Sequence, residues 1–278
     1  MAMTVLITVD ELAEAIQSSN PPVLLDVRWE LDGPPGHGEY LKGHIPGAVF
    51  VDLDSELSGP AVPSNGRHPL PSPVQLQTAA RRWGINAGDA VVAYDGDGNL
   101  TAARAWWLLR WAGFTDVRLL DGALPAWIAA GHSLATDNVQ PTPGTVELSS
   151  GAVRTLDLEE IEDFTTRGLL LDAREPERFR GELEPVDPKA GHIPGARNAP
   201  TRANLDADGR FLPQDELRER FKGLRVDGSR PVGVYCGSGV SAAHEIAALE
   251  IIGGYRTALF VGSWSQWSNH DLPVALGA

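Results

Sequence analysis

The segment Val232-Gly-Val-Tyr-Cys236-Gly-Ser-Gly239 repeats the pattern of Val91-Val-Ala-Tyr-Asp95-Gly-Asp-Gly98, which lies 141 residues earlier. Each segment is a short apolar run that ends in a glycine-rich loop. Such a run is typical of a buried strand, and glycines permit a tight turn behind it. Amphipathic stretches follow both loops, so the pattern predicts a strand, a loop and a helix, over residues 101–112 in the first copy and 241–252 in the second.

Two further motifs extend this duplication. Val23-Leu-Leu-Asp-Val-Arg28 recurs as Leu169-Leu-Leu-Asp-Ala-Arg174, and Gly43-His-Ile-Pro-Gly-Ala48 recurs unchanged as Gly191-His-Ile-Pro-Gly-Ala196. In both copies, short Val- and Leu-rich runs alternate with helical stretches. The alternation predicts an α/β protein of two tandem domains, each a mostly parallel sheet flanked by helices.

The segment Pro141-Thr-Pro-Gly144 lies between the copies and disfavours both helix and strand. We therefore expect a first domain at residues 1–137, a linker at residues 138–150 and a second domain at residues 151–278. Thr8 and Thr155 precede stretches with acidic residues in the first turn, and both are expected to begin helices.

Charge and cysteine count limit the class of protein. The chain has 278 residues, with 23 basic and 37 acidic side chains and a net charge of −14. Nucleic-acid binding, which needs a phosphate-neutralising surface, is disfavoured. No apolar run reaches the roughly 18 residues of a membrane span, and the first residues lack the basic region of a signal peptide. With Cys236 as the only cysteine, the sequence predicts a cytoplasmic protein without internal disulfides.

Residues shared by the two copies are candidates for the fold, and residues that differ are candidates for chemistry. His44 and His192 are shared, so we interpret both as structural, and the same comparison makes Arg174 a structural residue. The two copies differ where Asp95 matches Cys236. A thiol between a strand and a helix lies near backbone N–H groups that favour the thiolate, so we predict a reactive cysteine.

The sequence resembles the tandem-domain sulfurtransferases of the rhodanese superfamily, most closely those that use 3-mercaptopyruvate. The motifs that carry the resemblance occur in the family's order along nearly the whole chain: Tyr40–Ala48, Asp172-Ala-Arg174 with Arg178-Phe179, Gly191–Ala196, Cys236-Gly-Ser-Gly-Val-Ser-Ala242, and Gly262-Ser-Trp264 with Trp267. The resemblance implies an inactive first domain and a catalytic second domain.

The implied reaction is a sulfur transfer in two covalent steps. Cys236 takes sulfur from a small anionic donor as a persulfide and passes it to a thiol, thioredoxin or cyanide. The reaction requires no metal and no organic cofactor, and we expect neither a nucleic acid nor a membrane as partner.

The resemblance also assigns site residues. Ser238 and His68 match a pair proposed to relay a proton beside the catalytic Cys236, and Arg178 and Arg104 match arginines that bind the donor, with Arg104 supplied by the first domain. The remaining loop residues are expected to cradle the sulfur: Gly237, Gly239, Val240, Ser241 and Ala242.

The chain departs from the family pattern at two positions. Gly59 stands where an acidic residue is expected to orient the histidine, with Asp54 and Glu56 nearby. No second donor-binding arginine follows Arg178, and Lys189 is a candidate substitute.

Other functions remain open at this stage. The first alternative is a thiosulfate:cyanide sulfurtransferase, and a non-catalytic sulfur carrier or scaffold is another. A phosphatase of the Cys-x5-Arg type is disfavoured because position 242 is alanine. Asp95 and Asp97 suggest a metal site, but we interpret them as a solvated turn because two carboxylates do not complete one.

Overall fold

The computed structural model describes residues 4–253 and 255–278, which form two compact units. Unit 1 contains the chain up to Gly59, Pro71–Val153 and Asp206–Phe211, and unit 2 contains Pro60–Leu70, Arg154–Leu205 and Leu212–Ala278. A short segment from the first half of the chain, Pro60–Leu70, is therefore part of the second unit. It carries His68.

Unit 1 is built on a parallel sheet, which has five strands among the described residues in the order β1-β5-β4-β2-β3. Its strands are β1 Leu6–Ile7, β2 Val23–Asp26, β3 Val49–Phe50, β4 Val91–Tyr94 and β5 Val117–Leu120. Its helices are α1 Val9–Ile16, α2 Gly36–Lys42, α3 Leu53–Glu56, α4 Pro73–Arg82, α5 Ala102–Trp111 and α6 Ala123–Ala129.

Unit 2 repeats this architecture, with the strand order β6-β10-β9-β7-β8. Its strands are β6 Thr155–Leu156, β7 Leu169–Asp172, β8 Arg197–Asn198, β9 Val232–Tyr235 and β10 Thr257–Phe260. Its α-helices are α7 Ile161–Arg167, α8 Pro176–Arg180, α9 Gln214–Gly223, α10 Ser241–Ile252 and α11 Ser263–Trp267. Short 3-10 turns lie at Pro63–Asn65, Leu158–Glu160 and Thr201–Asn204. The predicted fold of two α/β domains with parallel sheets is confirmed.

Helix starts follow their capping residues. Thr8 caps α1 in a reciprocal capping box with Glu11, as predicted. The expectation at Thr155 is wrong, because Thr155 lies in strand β6. Asp157 provides the capping box there instead, and α7 begins at Ile161.

The stretch expected to be a linker is part of unit 1. The N–H of Gly144 donates to the carbonyl of Arg81 at 2.7 Å, and the N–H of Val146 donates to the carbonyl of Ile85 at 3.1 Å. Val146 is buried as well, so this extended segment lies against the end of α4.

The apolar core of unit 2 packs around its central strands. Phe164, Tyr235, Phe260 and Trp264 are almost completely buried in one cluster. This packing holds the carboxyl ends of β9 and β10 together at one edge of the sheet. In open parallel sheets this edge is where ligands bind.

Candidate active site

Cys236 lies at the carboxyl end of the central strand β9, directly after Tyr235. The side chain is buried, and its Sγ accepts a hydrogen bond from the N–H of Gly239 at 3.1 Å. Helix α10 begins at Ser241, so the loop between strand and helix wraps around the sulfur. Gly239, which supplies this N–H group, lies two residues before the start of the helix.

Position 239 in this loop has room for no residue other than glycine. Gly239 has a φ of +79°, and a Cβ atom there would lie 2.3 Å from the carbonyl oxygen of Val261. The loop that follows β10 also anchors Cys236, whose N–H donates to Oγ of Ser263 at 3.2 Å. The carbonyl of Cys236 accepts from the N–H of Trp264 at 3.0 Å.

In unit 1 the side chain of Asp95 fills the matching loop. The buried carboxylate of Asp95 accepts hydrogen bonds from the N–H groups of Asp97, Asn99, Thr101 and Ala102 at 2.8–3.1 Å. The interpretation of Asp95 as part of a solvated turn was wrong, because a carboxylate at this position satisfies loop amides that face inward. Of the two acidic residues, Asp95 and Asp97, only Asp97 is exposed.

In unit 2 the matching loop is open. Across residues 4–253 and 255–278, no acceptor contacts the N–H groups of Ser238, Val240 or Ala242, the counterparts of three amides that Asp95 binds. All three residues are buried. Buried amides without a partner call for an explanation, and a negatively charged ligand beside the sulfur provides one.

His68 reaches the second unit on the segment Pro60–Leu70. The segment is attached to α11 and to Gly262, the residue just before it. The N–H of Arg67 donates to Oγ of Ser265 at 3.1 Å, and the side-chain amide of Gln266 donates to the carbonyl of Ser64 at 2.9 Å. At Gly66, with φ of +86°, a Cβ atom would lie 2.7 Å from the carbonyl oxygen of Gly262, so only glycine permits this close approach.

The attachment brings His68 to the cysteine loop. Nδ1 of His68 lies 2.8 Å from Oγ of Ser238, and both side chains are buried. A histidine that contacts a hydroxyl group in a buried site is a suitable pair for moving a proton.

Arg178, on the short helix α8, belongs to a cluster of partly buried charges. Its Nη2 donates to Oε1 of Glu184 at 2.7 Å and to Oδ2 of Asp187 at 3.3 Å. Arg67 pairs with the other carboxylate oxygen of Asp187. Burial raises the pKa of Asp187, and the charge of Arg67 opposes this rise. The cluster therefore combines cations suited to an anionic ligand with carboxylates that balance them.

The sequence matches the Rhodanese-like domain family over residues 8–130 and again over residues 157–270. This chain belongs to the rhodanese family. The prediction of tandem rhodanese-like domains and of a sulfurtransferase is confirmed.

Rhodanese-family relatives differ in the sulfur donor that their names state. A Mycobacterium tuberculosis protein named "Putative thiosulfate sulfurtransferase SseB" is 50% identical over 98% of this chain and 97% of its own. A Pseudomonas aeruginosa protein named "Probable 3-mercaptopyruvate sulfurtransferase" is 44% identical over the full length of both chains. The crystal structure of SseA from Escherichia coli, described as a 3-mercaptopyruvate sulfotransferase, superimposes with a TM-score of 0.84 at 32% identity, over 94% of this chain and 99% of that one.

Most of the predicted rhodanese site residues lie together in unit 2. They are Cys236, Ser238, His68, Arg178, Gly237, Gly239, Val240, Ser241 and Ala242. Arg104 is in unit 1, on helix α5, where its buried guanidinium lies 3.4 Å from the carbonyl of Leu57. Its role in donor binding stays a prediction.

Several shared residues have structural contacts. His192 stacks on Phe179 with ring centres 3.7 Å apart, and its Nδ1 lies 2.8 Å from the carbonyl oxygen of that residue. His44 is placed in the same way against Tyr40. Arg174 is buried and donates to both carboxylate oxygens of Asp172, the residue two positions before it.

Lys189, the candidate second cation, donates from Nζ to the carbonyl of His270 at 2.6 Å. The second arginine in the charge cluster is Arg67, which is not among the predicted site residues. Arg67 precedes His68 directly, and that adjacency was the available signal. Asp187 and Glu184 were missed too, because nothing local in the sequence shows which arginine a carboxylate will contact.

Proposed function

We propose that this protein is a 3-mercaptopyruvate sulfurtransferase that carries sulfur as a persulfide on Cys236. The observation that supports this proposal most directly is the difference between the two matched loops. The Asp95 carboxylate occupies its loop in unit 1, whereas three of the four counterpart amides around Cys236 have no acceptor among the described residues. An outer sulfur on Cys236 extends a negatively charged atom towards the place that the Asp95 carboxylate fills in unit 1.

In the first half-reaction the Cys236 thiolate attacks the thiol sulfur of the donor. An S–S bond forms and the C–S bond of 3-mercaptopyruvate breaks. The electron pair of the broken bond goes to pyruvate as its enolate, which takes up one proton to give pyruvate. Amides in the loop stabilise the developing charge, as donors do in an oxyanion hole.

The need for that proton favours 3-mercaptopyruvate as the donor. Thiosulfate releases sulfite, which leaves without taking up a proton, whereas an enolate must be protonated. We propose that the hydroxyl of Ser238 delivers the proton and that His68 resupplies it, in keeping with their 2.8 Å contact. A buried histidine beside the cysteine loop has no comparable task in thiosulfate cleavage.

We propose that Arg178 binds the donor carboxylate. Guanidinium groups suit this role because they bind carboxylates through two parallel hydrogen bonds. Nε of Arg178 is buried and has no hydrogen-bond partner among the described residues, so this arginine retains donor capacity. Gly237 and Ser238 are uncharged, so they add no positive charge that would attract the thiosulfate dianion.

Thiosulfate is the second candidate donor, because the name of the M. tuberculosis relative at 50% identity refers to it. Both donors lead to the same persulfide on Cys236. In the second half-reaction a thiol, thioredoxin or cyanide attacks the outer sulfur and releases the Cys236 thiolate.

Such chemistry needs a reduced cysteine, so we propose a cytoplasmic location. Among the described residues, no helix has the length and apolar character needed to cross a bilayer.

Intact-mass measurement tests the persulfide. Purified protein is incubated with 3-mercaptopyruvate or with thiosulfate, desalted and weighed, with Cys236→Ser as the matched control. We expect the wild type to gain the mass of one sulfur atom and the variant to gain nothing. If neither donor adds sulfur to the wild type, the sulfurtransferase mechanism is wrong for this chain and the scaffold function takes its place.

Steady-state kinetics with both donors, at the same acceptor concentration, tests the donor assignment. We expect a higher kcat/KM for 3-mercaptopyruvate than for thiosulfate. The reverse order contradicts the 3-mercaptopyruvate assignment and leaves the persulfide mechanism in place.

A further inference from the structure

Ser265, on helix α11, joins the two segments that carry the proposed proton relay. Its N–H donates to the carbonyl of Gly237 at 2.8 Å, and its Oγ accepts a hydrogen bond from the N–H of Arg67 at 3.1 Å. Gly237 directly precedes Ser238, and Arg67 directly precedes His68. One residue thus binds the backbone on both sides of the contact between His68 and Ser238.

The hydroxyl of Ser265 is held in one orientation. The residue is 1% exposed, and its Oγ donates to the carbonyl of Gly262 at 3.0 Å while it accepts from Arg67. A Cβ atom on Gly66 would lie only 2.8 Å from this Oγ, so the segment Pro60–Leu70 lies directly against it. A buried hydroxyl that both donates and accepts fixes the geometry of the groups that it joins.

A cleft along another side of the segment increases the importance of this attachment. Asn65, Pro69 and Leu70 line the cleft, and residues 155–159 form one of its walls. Because the cleft keeps the segment apart from that wall, packing there contributes little to holding His68 in place. The contacts with α11 therefore carry much of this task.

Unit 1 attaches its matching segment through a different side chain. Gly66-Arg67-His68 has the counterpart Gly209-Arg210-Phe211, which belongs to unit 1. There the N–H of Phe211 donates to Oδ1 of Asp121 at 3.0 Å. The counterpart of Asp121 in unit 2 is Val261, whose side chain has no acceptor atom. Unit 2 therefore needs another acceptor for its segment, and Ser265 supplies it.

The residues that attach the segment in unit 2 have non-polar counterparts in unit 1. Gly262-Ser-Trp-Ser265-Gln-Trp267 is matched by Gly122-Ala-Leu-Pro125-Ala-Trp127, which lies 140 residues earlier. Proline and alanine thus stand where Ser265 and Gln266 bind the segment. The two polar side chains occur in the copy that contains Cys236, and this difference points to a task in the reaction.

We propose that Ser265, with Gln266 beside it, is a positioning residue that sets the distance between His68 and Ser238 and thereby the rate of proton transfer to the product enolate. The inference rests on the proposed function, in which Ser238 gives its proton to the enolate and His68 resupplies it. No bond to Ser265 forms or breaks in that step, so its effect passes through the two relay residues. A displaced relay is slow because proton transfer requires hydrogen-bond distance.

Ser265→Ala tests this role with two donors that differ in their need for a proton. The variant keeps the backbone bond to Gly237 and loses the Oγ that holds Arg67. We expect kcat and kcat/KM for 3-mercaptopyruvate to fall together by about 10-fold, because proton transfer slows while donor binding is unchanged. With thiosulfate we expect a change of no more than about 2-fold, because sulfite leaves without a proton.

Ser268→Ala is the matched control. Ser268 directly follows α11 and is 1% exposed, like Ser265, but its Oγ makes no hydrogen bond within residues 4–253 and 255–278. The substitution removes the same buried group without releasing the segment that carries His68. We expect kcat/KM for both donors to stay at the wild-type value.

A double-mutant cycle with His68→Asn separates positioning from a general loss of structure. If Ser265 acts through His68, adding Ser265→Ala to His68→Asn lowers kcat for 3-mercaptopyruvate by no more than about 2-fold further, because the relay is already lost. Losses that multiply in the double variant, or an equal loss with both donors in Ser265→Ala, overturn the role of Ser265.

Gln266→Ala is the second variant, and it decides the question if Ser265→Ala does not fold. It removes the bond from the side-chain amide to the carbonyl of Ser64, and alanine is the residue at the matching position in unit 1. We expect a loss of about 3-fold with 3-mercaptopyruvate, in the range for one neutral hydrogen bond, and no loss with thiosulfate. Unchanged kinetics with 3-mercaptopyruvate, or equal losses with both donors, overturn the role of the attachment.

Failure of the proposed function has a different signature. In that case the wild type forms no persulfide on Cys236, or His68→Asn affects both donors alike. If the inference about Ser265 alone is wrong, His68→Asn remains selective for 3-mercaptopyruvate and Ser265→Ala does not show that selectivity.

Discussion

Nδ1 of His68 lies 2.8 Å from Oγ of Ser238, although 170 residues separate them in the chain. The contact brings the imidazole ring of His68 next to Ser238, the second residue after Cys236. It exists because the segment that carries His68 is attached to the loop and helix after β10. The pair that we propose as a proton relay is thus assembled from both halves of the chain.

The first prediction is that this pair serves one donor only. Ser238→Ala and His68→Asn remove the proton path, and the asparagine amide retains a hydrogen-bonding group near the position of Nδ1. We expect kcat/KM for 3-mercaptopyruvate to fall on the order of 100-fold, the low end for general acid catalysis. Thiosulfate cleavage, which needs no proton for its leaving group, is expected to change only a few-fold. Equal losses with the two donors argue against a relay.

The second prediction concerns Arg178. Arg178→Ala is expected to remove about 1.5–3 kcal/mol of transition-state stabilisation with 3-mercaptopyruvate, measured as the ratio of kcat/KM values, and Arg178→Lys to recover only part of it. A thermal melt serves as the control, because the substitution leaves Glu184 and Asp187 without one of their cations. Wild-type preference for thiosulfate, with equal impairment of both donors in Arg178→Ala, is the result that rejects the assignment.

The third prediction is that Asp95 matters for stability and not for turnover. Asp95→Ala removes a buried acceptor from four backbone N–H groups, so we expect the free energy of unfolding to drop by at least about 2 kcal/mol. Persulfide formation on Cys236 and kcat/KM are expected to stay within a few-fold of wild type. Urea denaturation and kinetics measure the two effects, and loss of activity in a folded variant refutes the silent role of unit 1.

The fourth prediction is a pH dependence in unit 1. Burial raises the pKa of Asp26 to about 6, although Arg28 opposes the shift. Between its unfolded pKa and about 6, Asp26 is ionised in the unfolded chain and protonated in the folded one, so it lowers stability as pH rises. The unfolding free energy of Asp26→Asn relative to that of wild type is therefore expected to increase by up to about 3 kcal/mol as the pH rises from about 4 to about 7. Urea denaturation at both values measures it, and a pH-independent difference contradicts the prediction.

Many elements of the fold were predictable from local patterns. The apolar runs at residues 91–94 and 232–235 form β4 and β9, and the predicted helix at Ser241–Ile252 is α10 with the same bounds. Strands β1 and β6 were not predicted, because each has only two residues and depends on a neighbouring strand for its hydrogen bonds.

The sequence by itself determined the duplicated α/β fold and the contrast between Asp95 and Cys236, because periodicity and turn residues act over a few neighbouring positions. It also pointed to Arg178, His68 and Ser238 through motif resemblance. Only the tertiary structure decided that Pro60–Leu70 belongs to the second unit, that Arg67 meets Arg178 at Gly237, and that Lys189 binds a carbonyl group elsewhere. These contacts join residues far apart in the chain, and their geometry follows from packing and charge balance in the folded molecule, which no local pattern of side chains records.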